Sequence, residues 1–296
     1  MFTTIIVQPI FNLLVLIYAL LPGHNFGLAI IIFTVIIRLL MWPLVKSQIT
    51  QAKAMRELAP EIKKIKAAAK GDRAKESKLT MELYREKEIN PFASIGVLII
   101  QIPILFGLYA GLRRIIKDPH SLLTFSYSWL HHLSWMKHLA TNIHAFDNTL
   151  FGVVNLSRTA VETGGIYWAA MVIIILSALA QFFQARQLMP QPKDARSLKS
   201  ILSEANKGQK ADQAEVNAAV TKGTQYFIPF MVFFISLRLA ASLPLYWLSS
   251  SAVAYVQQSR LLREDTAEAD ANVPEQKPKI KKPQPKKQHQ GRRRRH

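Results

Sequence analysis

Hydrophobic residues along this chain collect into long continuous runs rather than the short alternating stretches of a soluble core. Five runs, at about residues 25–45, 91–112, 166–185, 225–237 and 243–257, read as membrane-spanning helices. A bilayer core of ~30 Å requires about 20 residues at ~1.5 Å each. The fourth run is short, and only the stretch from Arg238 to Ser242 separates it from the fifth. The pair therefore reads as a tight helical hairpin with its turn near one interface. A sixth apolar stretch, residues 5–21, carries Pro9 and places Gln8 and Asn12 one turn apart on one face. That pattern predicts an amphipathic helix lying in the interface, residues 1–23, rather than a further span.

The polar stretches between the runs have separate characters. In 46–90, Ile49, Ala52, Met55, Ile62 and Ile65 fall at helical spacing, followed by Leu79, Leu83, Tyr84 and Ile89. Gly71-Asp72 supplies turn residues between the two arms, and Pro60 kinks or restarts the first. A helical hairpin outside the membrane is expected. Residues 186–223 form a polar, Ala/Lys/Glu-rich loop. Residues 261–296, rich in Pro, Lys and Gln towards the end, predict a disordered basic tail. The expected fold is an all-α polytopic membrane protein, with a five-transmembrane-helix core over 24–260.

Charge orients this arrangement. The formal net charge is +19 although 50% of the residues are hydrophobic, so basic and apolar residues are segregated. Lys and Arg number 12 in 46–90, 7 in 186–223 and 12 from Arg260 onward, against 5 in the loop 113–165. The positive-inside rule places the three rich segments and the C-terminus in the cytoplasm. Arg113, Arg114 and Lys117 oppose this from the other side and are outnumbered. No Lys or Arg precedes Arg38, so the basic start of a cleaved signal peptide is not expected. The chain holds no cysteine, which excludes disulfides, thiolate metal sites and a lipid-modified cysteine.

Arg38 is the one charge in the first run. A guanidinium in hydrocarbon costs ~2.5 to well over 10 kcal/mol unless it faces protein or a wet cavity. With Lys46 taken as the end of its helix, Arg38 lies eight residues, or about 12 Å, inside. No acidic residue occurs in any of the five runs to pair with it. Gln101, Gln181, Gln184 and Trp247 bring polar atoms to other helices, although interhelical hydrogen bonding or plain packing also accounts for them. His131, His132, His138 and His144 with Asp147 crowd the outer loop. Trp129 and Trp135 alternate with them, which suits an interfacial segment better than a metal site. Neither a Gly-rich phosphate loop nor a hydrolase triad is present, so no cofactor and no enzymatic bond chemistry are expected.

Several ordered motifs carry a resemblance to a known family. Asn25-Phe26-Gly27, Ile37-Arg38-Leu39, Trp42-Pro43-Leu44 and Gln48 resemble the first core helix of the YidC/Oxa/Alb membrane protein insertases. Met55-Arg56, Leu58-Ala59-Pro60-Glu61, Leu83-Tyr84 and Asn90-Pro91 are similar to the ends of that family's cytoplasmic hairpin. Gln101-Ile102-Pro103 to Tyr109, Gln181-Phe182-Phe183-Gln184 and Leu243-Pro244-Leu245-Tyr246-Trp247 are similar to later helices. Departures are Leu239-Ala240-Ala241-Ser242 in the last turn, Ser251 where Asn is common, and two longer loops. A short form without the large periplasmic domain is expected.

The resemblance implies that Arg38, Gln101, Gln181, Gln184 and Trp247 line a hydrophilic groove, open to cytoplasm and lipid, that receives nascent membrane proteins, alone or with the Sec translocon. It also implies that the basic tail recruits ribosomes. Lys277, Lys279, Lys281, Lys282, Lys286, Lys287, Arg292, Arg293, Arg294 and Arg295 have no aromatic neighbour for base stacking, so contact with rRNA phosphate is expected. Anionic lipids compete for the same charges. The rivals are a small transporter or channel, for which internal repeats are missing, and a membrane-tethered RNA-binding protein, which leaves Arg38 unexplained.

Overall fold

The structure, a computed structural model, describes residues 1–90, 93–188 and 226–271. Most of the 186–223 loop, the start of the second predicted span and all ten basic residues singled out in the tail lie outside the described residues. Helices dominate: α1 (Gln8–Leu20, preceded by a π-turn over Thr3–Val7), α2 (Phe26–Leu40), α3 (Trp42–Glu57), α4 (Ala59–Ala69), α5 (Arg73–Glu86) and α6 (Ala93–Lys117). They continue with α7 (Ser121–Thr124), α8 (Ser134–Thr141), α9 (Trp168–Leu188), α10 (Tyr226–Ser236) and α11 (Ser242–Ala271). The loop before α9 adds two antiparallel hairpins of two-residue strands, β1 (Thr149–Leu150) with β2 (Val154–Asn155), and β3 (Val161–Glu162) with β4 (Gly165–Ile166).

By length and composition, Thr3–Leu20, Ile99–Lys117 and Trp168–Gln187 can each cross a membrane. The pair α2 and α3 makes a fourth if its 57° bend is taken as one broken span. Five spans were expected; α10 is short, and α11 is diluted by its polar second half. Exposed apolar side chains such as Ile99 (63%), Leu179 (48%) and Phe230 (61%) form outer surfaces suited to lipid tails.

Three boundaries differ from the sequence-based expectations, each for a local reason. The N-terminal helix does not leave its polar face at a surface. Asn12 is 2% exposed, its Nδ2 donates to the Gln8 carbonyl (2.7 Å), and its Oδ1 accepts from the Tyr127 amide (2.6 Å). Internal partners remove the reason for the amide to seek water, and Phe11, Leu14 and Tyr18 then join the main core against α2 and α6. The first predicted span is broken at Met41. Pro43 lacks an N–H and its ring opposes the Leu39 carbonyl, so a straight helix cannot continue. The tail does not begin at 261: α11 runs to Ala271. Leu261 is 3% exposed and packs with Met41, Val45 and Ile49, an i, i+4, i+8 stripe on the bent limb of the first span.

Outside the bundle, α4 and α5 pair as a hairpin. Pro60 occupies the first turn of α4, where a missing N–H costs nothing. Lys70 and Gly71 have positive φ, and the Asp72 carboxylate caps α5 by accepting from the Ala74 and Lys75 amides. At its base, the Asn90 amide donates to Gln51 Oε1 on α3 (2.9 Å).

At the opposite end of the bundle the 118–167 loop is packed down. Asn25 caps α2 through the Leu28 amide and donates to Asp147 Oδ2 (3.0 Å), while Asp147 Oδ1 accepts from Thr149. His24 stacks on Trp135 with centroids 3.7 Å apart, and Trp135 on His138. This histidine-rich loop is thus held by ring stacking and caps. Gly27 meets β1 so closely that a Cβ there would lie 2.8 Å from the Leu150 Cα. Backbone cannot yield as a flexible side chain can. Gly27→Ala is therefore expected to cost about 1–3 kcal/mol, read as a lower thermal midpoint of the detergent-solubilised protein.

Candidate functional site: a polar cluster at the break in the first span

The bend at Met41 leaves Arg38 in the last turn of α2 rather than two turns inside a straight helix. There its charge faces the partial negative end of the helix dipole, a stabilising placement. The half-buried guanidinium donates to one oxygen: Nε to Ser250 Oγ at 2.9 Å, with Nη2 sharing the same acceptor. The main-chain carbonyl of Arg38 accepts from Gln257 Nε2 (2.9 Å), so α11 holds both the backbone and the side chain of this residue. Among the described residues no carboxylate pairs with it. A guanidinium has five N–H donors, so donor capacity remains for an acceptor from elsewhere.

Ser250 belongs to a run of three buried serines, Ser249, Ser250 and Ser251. Ser249 returns its proton to the Leu245 carbonyl (2.8 Å), the local bond by which a hydroxyl tolerates an apolar helix. One turn before Ser250, the buried Tyr246 hydroxyl accepts from Gln101 Nε2 on α6 (2.8 Å). Arg38, Ser250, Tyr246 and Gln101 thus draw α2, α11 and α6 together through polar groups. Gln258, 3% exposed, and Gln257 keep amide oxygens without a hydrogen-bond partner among the described residues. Such buried oxygens call for water or a ligand donor.

Of the other expected groove residues, Gln181 and Trp247 have partners of their own. Gln181 is half-buried on α9 and makes a long intrahelical contact to Ser177 Oγ (3.4 Å). Gln184 is half-buried on the same helix. Neither has a hydrogen bond to the Arg38 cluster. The polar link from α9 to α11 is instead Gln187, whose Nε2 donates to Ser259 Oγ (2.6 Å). Trp247 packs against the apolar core. Nothing in the sequence marks Ser250, Tyr246 and Gln257 as site residues, because a serine, tyrosine or glutamine in an apolar helix has no signal of its own. The run of three serines that begins five residues past Pro244 is the available hint.

An α-helical bundle with exposed apolar flanks, a broken span and a half-buried arginine at the break defines a polytopic membrane protein. Comparison with known proteins agrees. The family model described as 60Kd inner membrane protein matches residues 17–268, and the chain belongs to that family. A relative from Fusobacterium nucleatum, named membrane protein insertase YidC, is 29% identical over 240 residues, 81% of this chain and 87% of the relative. One of the same name from Bradyrhizobium diazoefficiens is 28% identical over 239 residues, again 81% of this chain. The chain spans only 33% of that relative's length. A third, from Caulobacter vibrioides, is 36% identical over 127 residues, 43% of this chain and 20% of the relative.

The geometry makes Ser250 the partner of Arg38. Ser250→Ala should lower stability by about 1–3 kcal/mol, because it strands a buried donor. In an Arg38→Met background the same change should have little further effect. A double-mutant cycle of thermal midpoints in detergent reads this coupling, and equal losses in both backgrounds would show that the two side chains act independently.

Proposed function

We propose that this protein is a membrane protein insertase, which integrates nascent membrane proteins by lowering the barrier to moving their polar segments through lipid. The observation that carries the reading is Arg38, whose guanidinium has Ser250 as its one hydrogen-bond partner among the described residues, at the broken end of a span. Its neighbours Leu39 and Leu40 are 54% and 70% exposed, so lipid-facing surface and the arginine adjoin. The relatives named as insertases support it.

The chemistry follows from cost. A translocated segment with acidic residues cannot cross hydrocarbon unaided. The spare guanidinium donors bind a carboxylate transiently, and the amides of Gln101, Gln257 and Gln258, with Gln181 and Gln184 on the facing helix, keep the passage wet. The adjoining apolar segment of the substrate then slides into lipid, and each buried CH₂ releases about 0.8 kcal/mol. No bond is made or broken, so the protein is not an enzyme in the bond-changing sense and needs no cofactor. In this reading the break at Met41 opens the polar cluster towards the hairpin side, taken as cytoplasmic together with the C-terminus, and the positive-inside rule supports that side. The α4–α5 hairpin, tied at its base by Gln51, extends from that side to meet the emerging chain. The basic tail gathers ribosomes through rRNA phosphate, with anionic lipid as a competitor, and the Sec translocon is an optional partner.

Reconstitution tests the central step. Arg38→Ala should reach the membrane folded yet lose at least tenfold in insertion of a short substrate with an acidic translocated segment, and Arg38→Lys should keep part of it, since Lys retains charge without the fork. Neutral substrates should be less affected. Solute flux through the same proteoliposomes should stay at background; flux coupled to activity would favour a transporter. Full insertion of acidic substrates by Arg38→Ala would remove the electrostatic role. Separately, truncation before residue 272 should abolish salt-sensitive co-sedimentation of the detergent-solubilised protein with ribosomes; undiminished sedimentation would move the contact to the hairpin or the 186–223 loop.

A further inference from the structure

At the end of the bundle remote from the α4–α5 hairpin, the charge pattern runs against the rule that orients the rest of the chain. Arg113, Arg114 and Lys117 close α6, and Arg238 lies just beyond α10. Arg114 has a local role: its guanidinium lies over the Phe125 ring, 4.2 Å from the centroid. Arg158 is likewise engaged, bonded to Glu162 (2.7 Å) and stacked over Tyr167. Its hydrogen bond holds the Glu162 carboxyl below the usual range. Among the described residues, Arg113, Lys117 and Arg238 have no such engagement. All three are exposed and line one open cleft of about 330 Å³ in which no carboxylate takes part.

The walls of the cleft divide by chemistry. Tyr109, Leu112, Arg113, Ile116 and Lys117 are one stripe of α6 at i, i+3, i+4, i+7 and i+8 spacing, apolar towards the middle of the bundle and cationic at its end. Leu239 and Leu243 extend the apolar wall from the turn into α11. Ser157 and Ser242 give it hydroxyl donors, whereas the Thr159 hydroxyl already donates to the Val161 carbonyl (3.0 Å). Ser157 Oγ accepts from Asn148, which leaves its own proton to donate. The Ser242 hydroxyl, 1% exposed, has no partner among the described residues. The rim is held firmly by main-chain bonds between the two loops: the Ala241 amide to the Arg158 carbonyl (2.9 Å) and the Ser242 amide to the Leu156 carbonyl (3.1 Å).

We infer that this cleft is a binding site for an anionic phospholipid, with the headgroup phosphate between Arg113, Lys117 and Arg238 and an acyl chain along the half-buried Tyr109, Ile116 and Leu239. Three cations without an acid match a phosphodiester, and hydroxyl donors supplement them. The adjoining apolar stripe distinguishes a lipid from a free phosphate, which has no use for it. The site also gives a reason for cations at an end of the bundle where orientation disfavours them: a lipid phosphate, rather than solvent alone, neutralises them. It lies at the opposite end of α6 from Gln101 and is separate from the Arg38 cluster.

The test is native mass spectrometry of the full chain released from mixed micelles holding equal phosphatidylglycerol and phosphatidylcholine. The wild type should retain one phosphatidylglycerol in marked preference. The triple variant Arg113→Gln, Lys117→Gln, Arg238→Gln, which replaces exposed side chains and keeps their polar stems, should lose about tenfold in that retention. A charge-matched control, Lys63→Gln, Lys64→Gln, Lys70→Gln on the exposed hairpin, should retain lipid as the wild type does, which removes net charge as the cause. Matching thermal midpoints for both variants exclude unfolding. Equal retention by the triple variant and the wild type would overturn the site. Displacement of the retained lipid by millimolar glycerol phosphate would overturn the lipid assignment and leave a free-phosphate site. Equal loss in both variants would reduce the effect to bulk charge and overturn it as well.

Discussion

The structure is organised by the need to keep one guanidinium out of hydrocarbon. Arg38 cannot face lipid tails without a large penalty, so its helix must end near it and another helix must bring polar atoms to it. Both conditions are met. Pro43 prevents α2 from continuing straight, and Ser250 and Gln257 on α11 receive the side chain and cap the carbonyl. The bend then directs α3 along the second half of α11, where Met41, Val45 and Ile49 enclose Leu261. One polar requirement and one apolar stripe thus fix the longest helix against both limbs of the broken span.

The remaining helices are placed by the same logic with different groups. Gln101 reaches Tyr246, so α6 attaches to α11 by a hydrogen bond in a region where most neighbours are apolar. Asn12 attaches α1 to the loop at Tyr127, and Asn25 attaches α2 to it at Asp147. Each amide is a point where an otherwise featureless apolar surface acquires register, because sliding one turn would strand a buried donor or acceptor. Gly27 and Gly107 permit the close approaches that accompany these bonds, to Leu150 and Ile10.

The two ends of the bundle are consequently unlike. One holds the break, the arginine and the hairpin, and leaves buried amide oxygens unsatisfied among the described residues. The other is packed by ring stacks, caps and two small hairpins, with a cationic cleft at its rim.

Much of this was legible in the residues. The membrane class, the approximate runs, the turn at Gly71-Asp72 and the special standing of Arg38 follow from local composition, because the cost of placing charge in lipid and the length of a span depend on no partner. The family, too, could be read from ordered motifs such as Trp42-Pro43-Leu44 and Gln101-Ile102-Pro103. Tertiary structure alone decided which groups meet. Asn12 reads as an interfacial residue until Tyr127 is found opposite it, 115 residues away in sequence. Gln187, rather than Gln181 or Gln184, bridges α9 and α11, and all three look alike on a helix of uniform apolarity. Leu261 became core only because the bend at Met41 carried a matching stripe to it. Hydrogen-bond partners and packing faces are properties of pairs, and a sequence records its residues singly.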